Sequence, residues 1–70
     1  MIPLSMAPPG DEVTIRKITG TDAVRQHLAE LGFVMGAKVR VVSQLGESMI
    51  LSVLDSRIAL DKTMTSRIMV

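Results

Sequence analysis

Residues 28–42 read LAELGFVMGAKVRVV and change their hydrophobic period within one short stretch. Leu28 and Leu31 stand at helical spacing. Gly32 follows at the place where a glycine in the left-handed conformation commonly ends a helix. After Gly36, valines alternate with cations, which is the pattern of a half-buried strand. The stretch therefore predicts a helix and a strand that are joined by a short loop with a glycine at each end.

Upstream, the sequence predicts that this helix covers about residues 21–31. Val24, Leu28 and Leu31 form one narrow apolar stripe at a period of 3.6 residues, so the stripe should face the core. Either of the first two residues of the range, Thr21 or Asp22, can accept a hydrogen bond from a free backbone N–H and cap the first turn.

Elsewhere, short β-branched segments predict a mainly β fold. Strands are expected at residues 13–18, 37–44, 49–54, 57–60 and 67–70, with a turn at Asp55-Ser56, one helical turn within 61–66, and irregular or extended chain over 1–12. Short antiparallel strands in such a small chain favour closure into a small barrel, since closure removes unpaired edges. We expect a single domain, residues 1–70, with the helix capping one open end of the barrel.

Composition excludes several classes of function. The chain has no cysteine, so it has no disulfide, thiolate zinc site or thiol nucleophile. Its single histidine has no evident serine or carboxylate partners for a catalytic triad, and no phosphate-binding glycine motif is present. We therefore expect that the chain is not an enzyme. A net charge of +1 with one aromatic residue argues against nucleic-acid binding. No apolar run is long enough for membrane insertion, and we expect a cytoplasmic location.

One pair of side chains could ligate a metal. His27 and Glu30 are three residues apart on the expected helix, so both could contact the same ion. Two ligands make an incomplete site, and a third would have to come from Asp11 or from a second protomer. The alternative is that His27 flanks the apolar stripe beside an ordinary surface acid.

Taken together, the motifs resemble the FeoA family of bacterial ferrous iron uptake. The resemblance rests on Leu31-Gly32-Phe33, on Gly36 before the valine strand, on residues 56–60 (SRIAL), and on the closing Ile68 and Val70. It covers nearly the whole chain, at a length typical of the free-standing form. The family often has proline where this chain has Met35.

This resemblance implies an SH3-like barrel and an accessory role in ferrous iron transport. The implied partner is the cytoplasmic side of a FeoB-type permease, which has a GTP-binding domain. The resemblance implies no required cofactor. It links the chain to ferrous iron through the transport pathway, without establishing that the chain binds iron directly. The alternative is a small metal-binding or metal-sensing domain, like the SH3-like domain of DtxR-type repressors. The oligomeric state is left open.

A partner-binding surface is expected where the helix ends. Loop residues are usually exposed, so apolar side chains between the two glycines could contact a partner, although Phe33 is expected to fold back over the core. The outer helix face would form the rim of this surface. The candidate partner-binding residues are Arg25, Gln26, Ala29, Phe33, Val34 and Met35.

Overall fold

The computed structural model describes residues 1–70 and has a mainly β architecture. The strands are β1 Glu12–Thr14, β2 Lys17–Ile18, β3 Lys38–Leu45, β4 Ser48–Val53, β5 Ser56–Asp61 and β6 Ile68–Met69. The helices are a 3₁₀ helix at Leu4–Met6, the helix α1 at Asp22–Glu30 and the one-turn helix α2 at Lys62–Thr65. Neither α-helix has the length and hydropathy needed to cross a bilayer.

These strands form two antiparallel sheets, in the orders β1-β3-β4-β5 and β2-β6. The expectation of one strand over residues 13–18 is therefore wrong. The Ile15 amide donates to the Ala37 carbonyl at 2.9 Å, but the next amide, that of Arg16, donates to Met69 at 2.8 Å. The chain thus changes its pairing partner between residues 15 and 16 and passes from one sheet to the other.

Both sheets and α1 enclose a single hydrophobic core. Leu28 of α1 is fully buried in it, while Val24 and Leu31 pack against it from the side. The expectation of a small, mainly β fold with one helix over its core is confirmed, and its hydrogen-bonded ladders lie in two sheets. The buried core residues are Leu4, Ala7, Ile15, Leu28, Phe33, Val39, Val41, Met49, Leu51, Val53, Leu60 and Ile68.

The β4–β5 hairpin turns one residue earlier than expected. Val53 and Ser56 form the last strand pair, so the turn is Leu54-Asp55 rather than Asp55-Ser56. Leu54 has a φ of 54° and is the only non-glycine residue with a positive φ. A positive φ at the first turn residue alone is the geometry of a type II′ turn, in which Gly is preferred.

The strand expected over 49–54 is fully buried on one face only, and its other face is half-buried.

Chain termini lie side by side and complete the small sheet. The Ile2 amide donates to the Val70 carbonyl at 2.9 Å, and the Val70 amide donates to the Ile2 carbonyl at 2.8 Å. Leu4 then enters the core from the 3₁₀ helix, which replaces part of the expected extended segment. The expected helical turn within 61–66 is present and is capped by Asp61, whose carboxylate accepts from the Met64 amide at 3.2 Å.

Candidate docking groove

The C-terminus of α1 is a Schellman motif, and it determines where the following loop begins. The Gly32 amide donates to the Ala29 carbonyl at 3.0 Å, and the Phe33 amide donates to the Leu28 carbonyl at 2.9 Å. Gly32 has a φ of 102°, the left-handed geometry that this motif requires. Phe33 is fully buried with Leu28, as the hydrophobic contact of the motif predicts, so the expectation that Phe33 seals the core is confirmed.

The next four residues form a tight turn that projects two apolar side chains. The Ala37 amide donates to the Val34 carbonyl at 3.0 Å, and Gly36 has a φ of 87° at the third turn position. This combination defines a type II turn. The Gly36 amide donates to the Ile15 carbonyl at 2.8 Å, which fixes the turn to the chain between β1 and β2. Met35, at the second position, is 71% exposed, and Val34 is 44% exposed.

This turn forms one wall of an apolar groove of about 400 Å³. Lys17 and Ile18 of β2 also line it. Arg25 and Ala29 of α1 form a third side, and they share one helix face because they are four residues apart. Phe33, which is fully buried, completes the lining. Three separate chain segments therefore meet at a single concave surface.

Five of the six candidate partner-binding residues line this groove. The structure brings together Arg25, Ala29, Phe33, Val34 and Met35. Gln26 is exposed but does not line the groove, since the next residue along a helix is rotated by about 100° from its neighbour. Lys17 and Ile18 were not among the sequence candidates. The strand pattern of residues 13–18 is the sequence feature that contains them, but this pattern does not show that their strand lies beside the end of the helix.

Charge in the groove lining is positive. Lys17 and Arg25 are its only ionisable residues, and no carboxylate lines it. Lys17 has no ion-pair partner, whereas Arg25 pairs with Asp22 one turn earlier in α1. The side chain of Asp22 is 93% exposed, so this pair is a surface contact of small energy.

A second depression, of about 190 Å³, is polar and is lined by a different set of residues. It lies between the β3–β4 turn and α2, with Gln44, Glu47 and Lys62 in its lining. The Thr65 hydroxyl is buried next to it and has no hydrogen-bond partner. The opposite charges of Glu47 and Lys62 leave the lining of this depression with no net charge, whereas the lining of the apolar groove is positive.

The weak candidate metal ligands do not form a metal site within one chain. His27 and Glu30 are both exposed on α1. No group of three or more His, Asp or Glu side chains is close enough together to hold an ion, so Asp11 does not complete the pair. The donor set present does not fit a resident transition metal, which needs three or four protein ligands.

Comparison with known proteins identifies relatives over the whole chain. A family model described as the FeoA domain matches residues 2–70. A protein of Methanocaldococcus jannaschii, provisionally named Fe(2+) transport protein A, is 33% identical over 70 residues, which are 100% of this chain and 85% of that protein.

Solved structures show the same fold. One described as the iron uptake regulatory protein FeoA has a TM-score of 0.88 and 34% identity, over 96% of this chain and 89% of that chain. A FeoA from Stenotrophomonas maltophilia, solved with zinc, has a TM-score of 0.82 and 30% identity, over 94% and 85%. That protein is described as a prokaryotic SH3 domain protein, and a role as a ferrous iron transport activating factor has been suggested for it. A manganese-dependent transcriptional repressor, at 16% identity and a TM-score of 0.85, shares the fold alone.

Proposed function

Because this chain belongs to the FeoA family, we propose that it is an accessory factor of ferrous iron transport that acts by binding another protein. The proposed partner is the cytoplasmic part of a FeoB-type permease, and the proposed place of action is the cytoplasm. The names of the relatives support the link to ferrous iron, and the apolar groove beside the end of α1 supports the mode of action.

A single observation carries the proposal: apolar side chains are held exposed beside a concave apolar surface. Met35 is fixed by a glycine turn and by the bond from Gly36 to Ile15, yet most of its surface faces solvent. The backbone of a rigid turn loses little conformational entropy when a partner covers it, and the flexible thioether chain can adapt to the shape of the partner. The groove is therefore organised for binding before the partner arrives.

Its size limits what the partner inserts. A volume of about 400 Å³ is at the small end of the range for ligand pockets, about 300–1,000 Å³. One or two large apolar side chains fit such a volume, whereas a whole helix or domain does not. A short segment of the permease therefore has to insert its side chains, with the remaining interface on the polar rim.

The direct test is binding of the isolated cytoplasmic domain of the permease to purified variants of this chain. Met35→Asp and Val34→Asp place a carboxylate in the groove at exposed positions, so the fold should be retained. We expect the double variant to lose binding by at least tenfold, because a desolvated charge replaces an apolar contact.

Leu45→Asp is the matched control for this test. Leu45 is 64% exposed and lines neither depression, so the same carboxylate there should leave binding unchanged. Unchanged binding by the folded Val34→Asp, Met35→Asp double variant would exclude the groove as the docking site.

The alternative function, metal sensing, has support only from the zinc-bound relative. Within this chain His27 and Glu30 lack a third ligand, so an ion would need ligands from another protomer. Anaerobic titration with Fe(II), with the His27 ring followed by NMR, separates the two hypotheses. A metal-sensing role requires a saturable shift of the His27 signals together with formation of a dimer.

A further inference from the structure

We infer that the groove takes an acidic segment of polypeptide, in which carboxylates flank one or two apolar side chains. This inference rests on the proposed function and adds the chemistry of the partner. It follows from the combination of an apolar surface with two cations on its walls and no anion in its lining.

Lys17 is the stronger determinant of the two cations. It stands on β2, paired with Met69 of β6, and its ammonium group has no ion pair within the chain. The neighbouring groove surface is apolar, through Ile18, Val34 and Met35. A carboxylate that reaches Lys17 beside this surface is partly shielded from water, which strengthens the attraction relative to an open surface pair.

Arg25 can also bind an incoming carboxylate. Its guanidinium has five N–H donors, and its present pair with Asp22 uses only part of them. Asp22 is almost fully solvated, so little free energy is lost if its carboxylate moves away. A partner carboxylate can therefore share the guanidinium with Asp22 or replace it.

Apolar side chains of the same segment would cover Met35 and Val34. The groove is too small for a folded element, so the carboxylates and the apolar side chains must come from a few consecutive residues. An extended segment presents side chains two positions apart on the same face, which allows an apolar residue to enter while carboxylates two positions away reach the cations.

The test uses two blocked synthetic peptides that differ only in charge, Gly-Asp-Ser-Leu-Ser-Asp-Gly and Gly-Lys-Ser-Leu-Ser-Lys-Gly. Binding to the isotopically labelled full chain is followed by NMR chemical shifts. We expect the acidic peptide to bind about tenfold more tightly than the basic one, and to shift Lys17, Ile18 and Met35. The preference should disappear when salt is raised from about 0.01 M to about 1 M, because the Debye length falls from about 30 Å to about 3 Å.

Charge-reversal variants assign the preference to the groove. Lys17→Glu should weaken binding of the acidic peptide by about three- to tenfold and strengthen binding of the basic one. Lys17→Arg should keep the original preference. Lys62→Glu is the matched control, since it changes the net charge by the same amount in the other depression and should have less than a twofold effect.

Three results would overturn the inference. They are equal binding of the two peptides, equal effects of Lys17→Glu and Lys62→Glu, and binding of the full chain to phosphatidylglycerol vesicles while neither peptide binds. The last result would mean that the cations recognise a lipid surface instead.

Failure of this inference is distinguishable from failure of the proposed function. The uncharged variant Met35→Ser should weaken capture of the permease domain whether or not charge matters. If Met35→Ser weakens capture and Lys17→Glu does not, the groove docks the permease but the acidic segment is wrong. If neither variant weakens capture, both proposals are wrong.

Discussion

Replacing Met35 by proline should stabilise the fold and weaken docking at the same time. Met35 occupies the second position of a type II turn, where proline is favoured because its ring fixes φ near −65°. Its φ is negative, since Leu54 is the only non-glycine residue with a positive φ. The Met35 amide donates to no backbone carbonyl, so no hydrogen bond is lost with the N–H.

The expected gain follows from the unfolded state. A compatible proline restricts the unfolded chain and stabilises a protein by about 0.4–1 kcal/mol. For a chain of this size, that gain corresponds to a rise in Tm of about 2–8 °C. Thermal unfolding followed by circular dichroism measures the rise. Met35→Ala is the control, because it removes the same exposed side chain without constraining φ.

Docking should respond in the opposite direction. Both Met35→Pro and Met35→Ala remove the thioether chain from the groove, so both should bind the permease domain less tightly than the parent chain. A Tm for Met35→Pro equal to or below that of Met35→Ala would refute the turn assignment. Undiminished binding by the stabilised Met35→Pro variant would refute the role of this side chain.

Four further substitutions test the packing of the core and the geometry of the turns. Phe33→Ala should lower the free energy of unfolding by about 3–5 kcal/mol, because the Phe33 side chain is fully buried. This loss is a large part of the roughly 4–10 kcal/mol expected for a 70-residue domain. A denaturant midpoint close to that of the parent chain would contradict the burial of Phe33. Gly46→Ala should lower the free energy of unfolding by about 1–2 kcal/mol because of the positive φ alone. Gly32→Ala should lower it by more, because the new Cβ also meets the Leu54 Cδ1 at 3.2 Å. Equal losses for the two variants in chemical denaturation would show that this contact has no effect on stability. Leu54→Gly should raise stability by about 1 kcal/mol because it relieves a left-handed leucine that is 80% exposed, and a lower Tm would instead show that this side chain stabilises the hairpin.

Local sequence was sufficient to place the join between helix and strand. Gly32 and Gly36 each lie at a positive φ, and a Cβ is penalised there, so these positions can be identified from neighbouring residues alone. The buried stripe of α1 and the alternation of Val39 and Val41 follow from periodicity in the same way. Features that depend on a few consecutive residues were therefore predictable.

Partner choice between strands was not predictable in this way. Residues 13–18 alternate like one strand, but their hydrogen bonds go first to the β3 side and then to β6. The division arises because Ile15 pairs with the turn before β3 and Arg16 pairs with the C-terminal strand. Both contacts join residues distant in sequence, which periodicity does not encode.

Lys17 and Ile18 line the groove because of the same long-range pairing of β2 with β6. The sequence placed the candidate surface on the helix and its loop, and five of its six residues line the groove. It could not show that β2 lies against them and contributes the unpaired cation. The turn at Leu54-Asp55 was missed for a different reason, because Asp and Ser are common turn residues and leucine with a positive φ is rare.

The most direct test of the central claim is an NMR titration of this chain with the cytoplasmic domain of the permease. We expect the largest changes in amide and methyl shifts to map to the groove, at Lys17, Ile18, Ala29, Val34 and Met35. Changes that map instead to the polar depression around Gln44 and Lys62, or no saturable change at any residue, would contradict it.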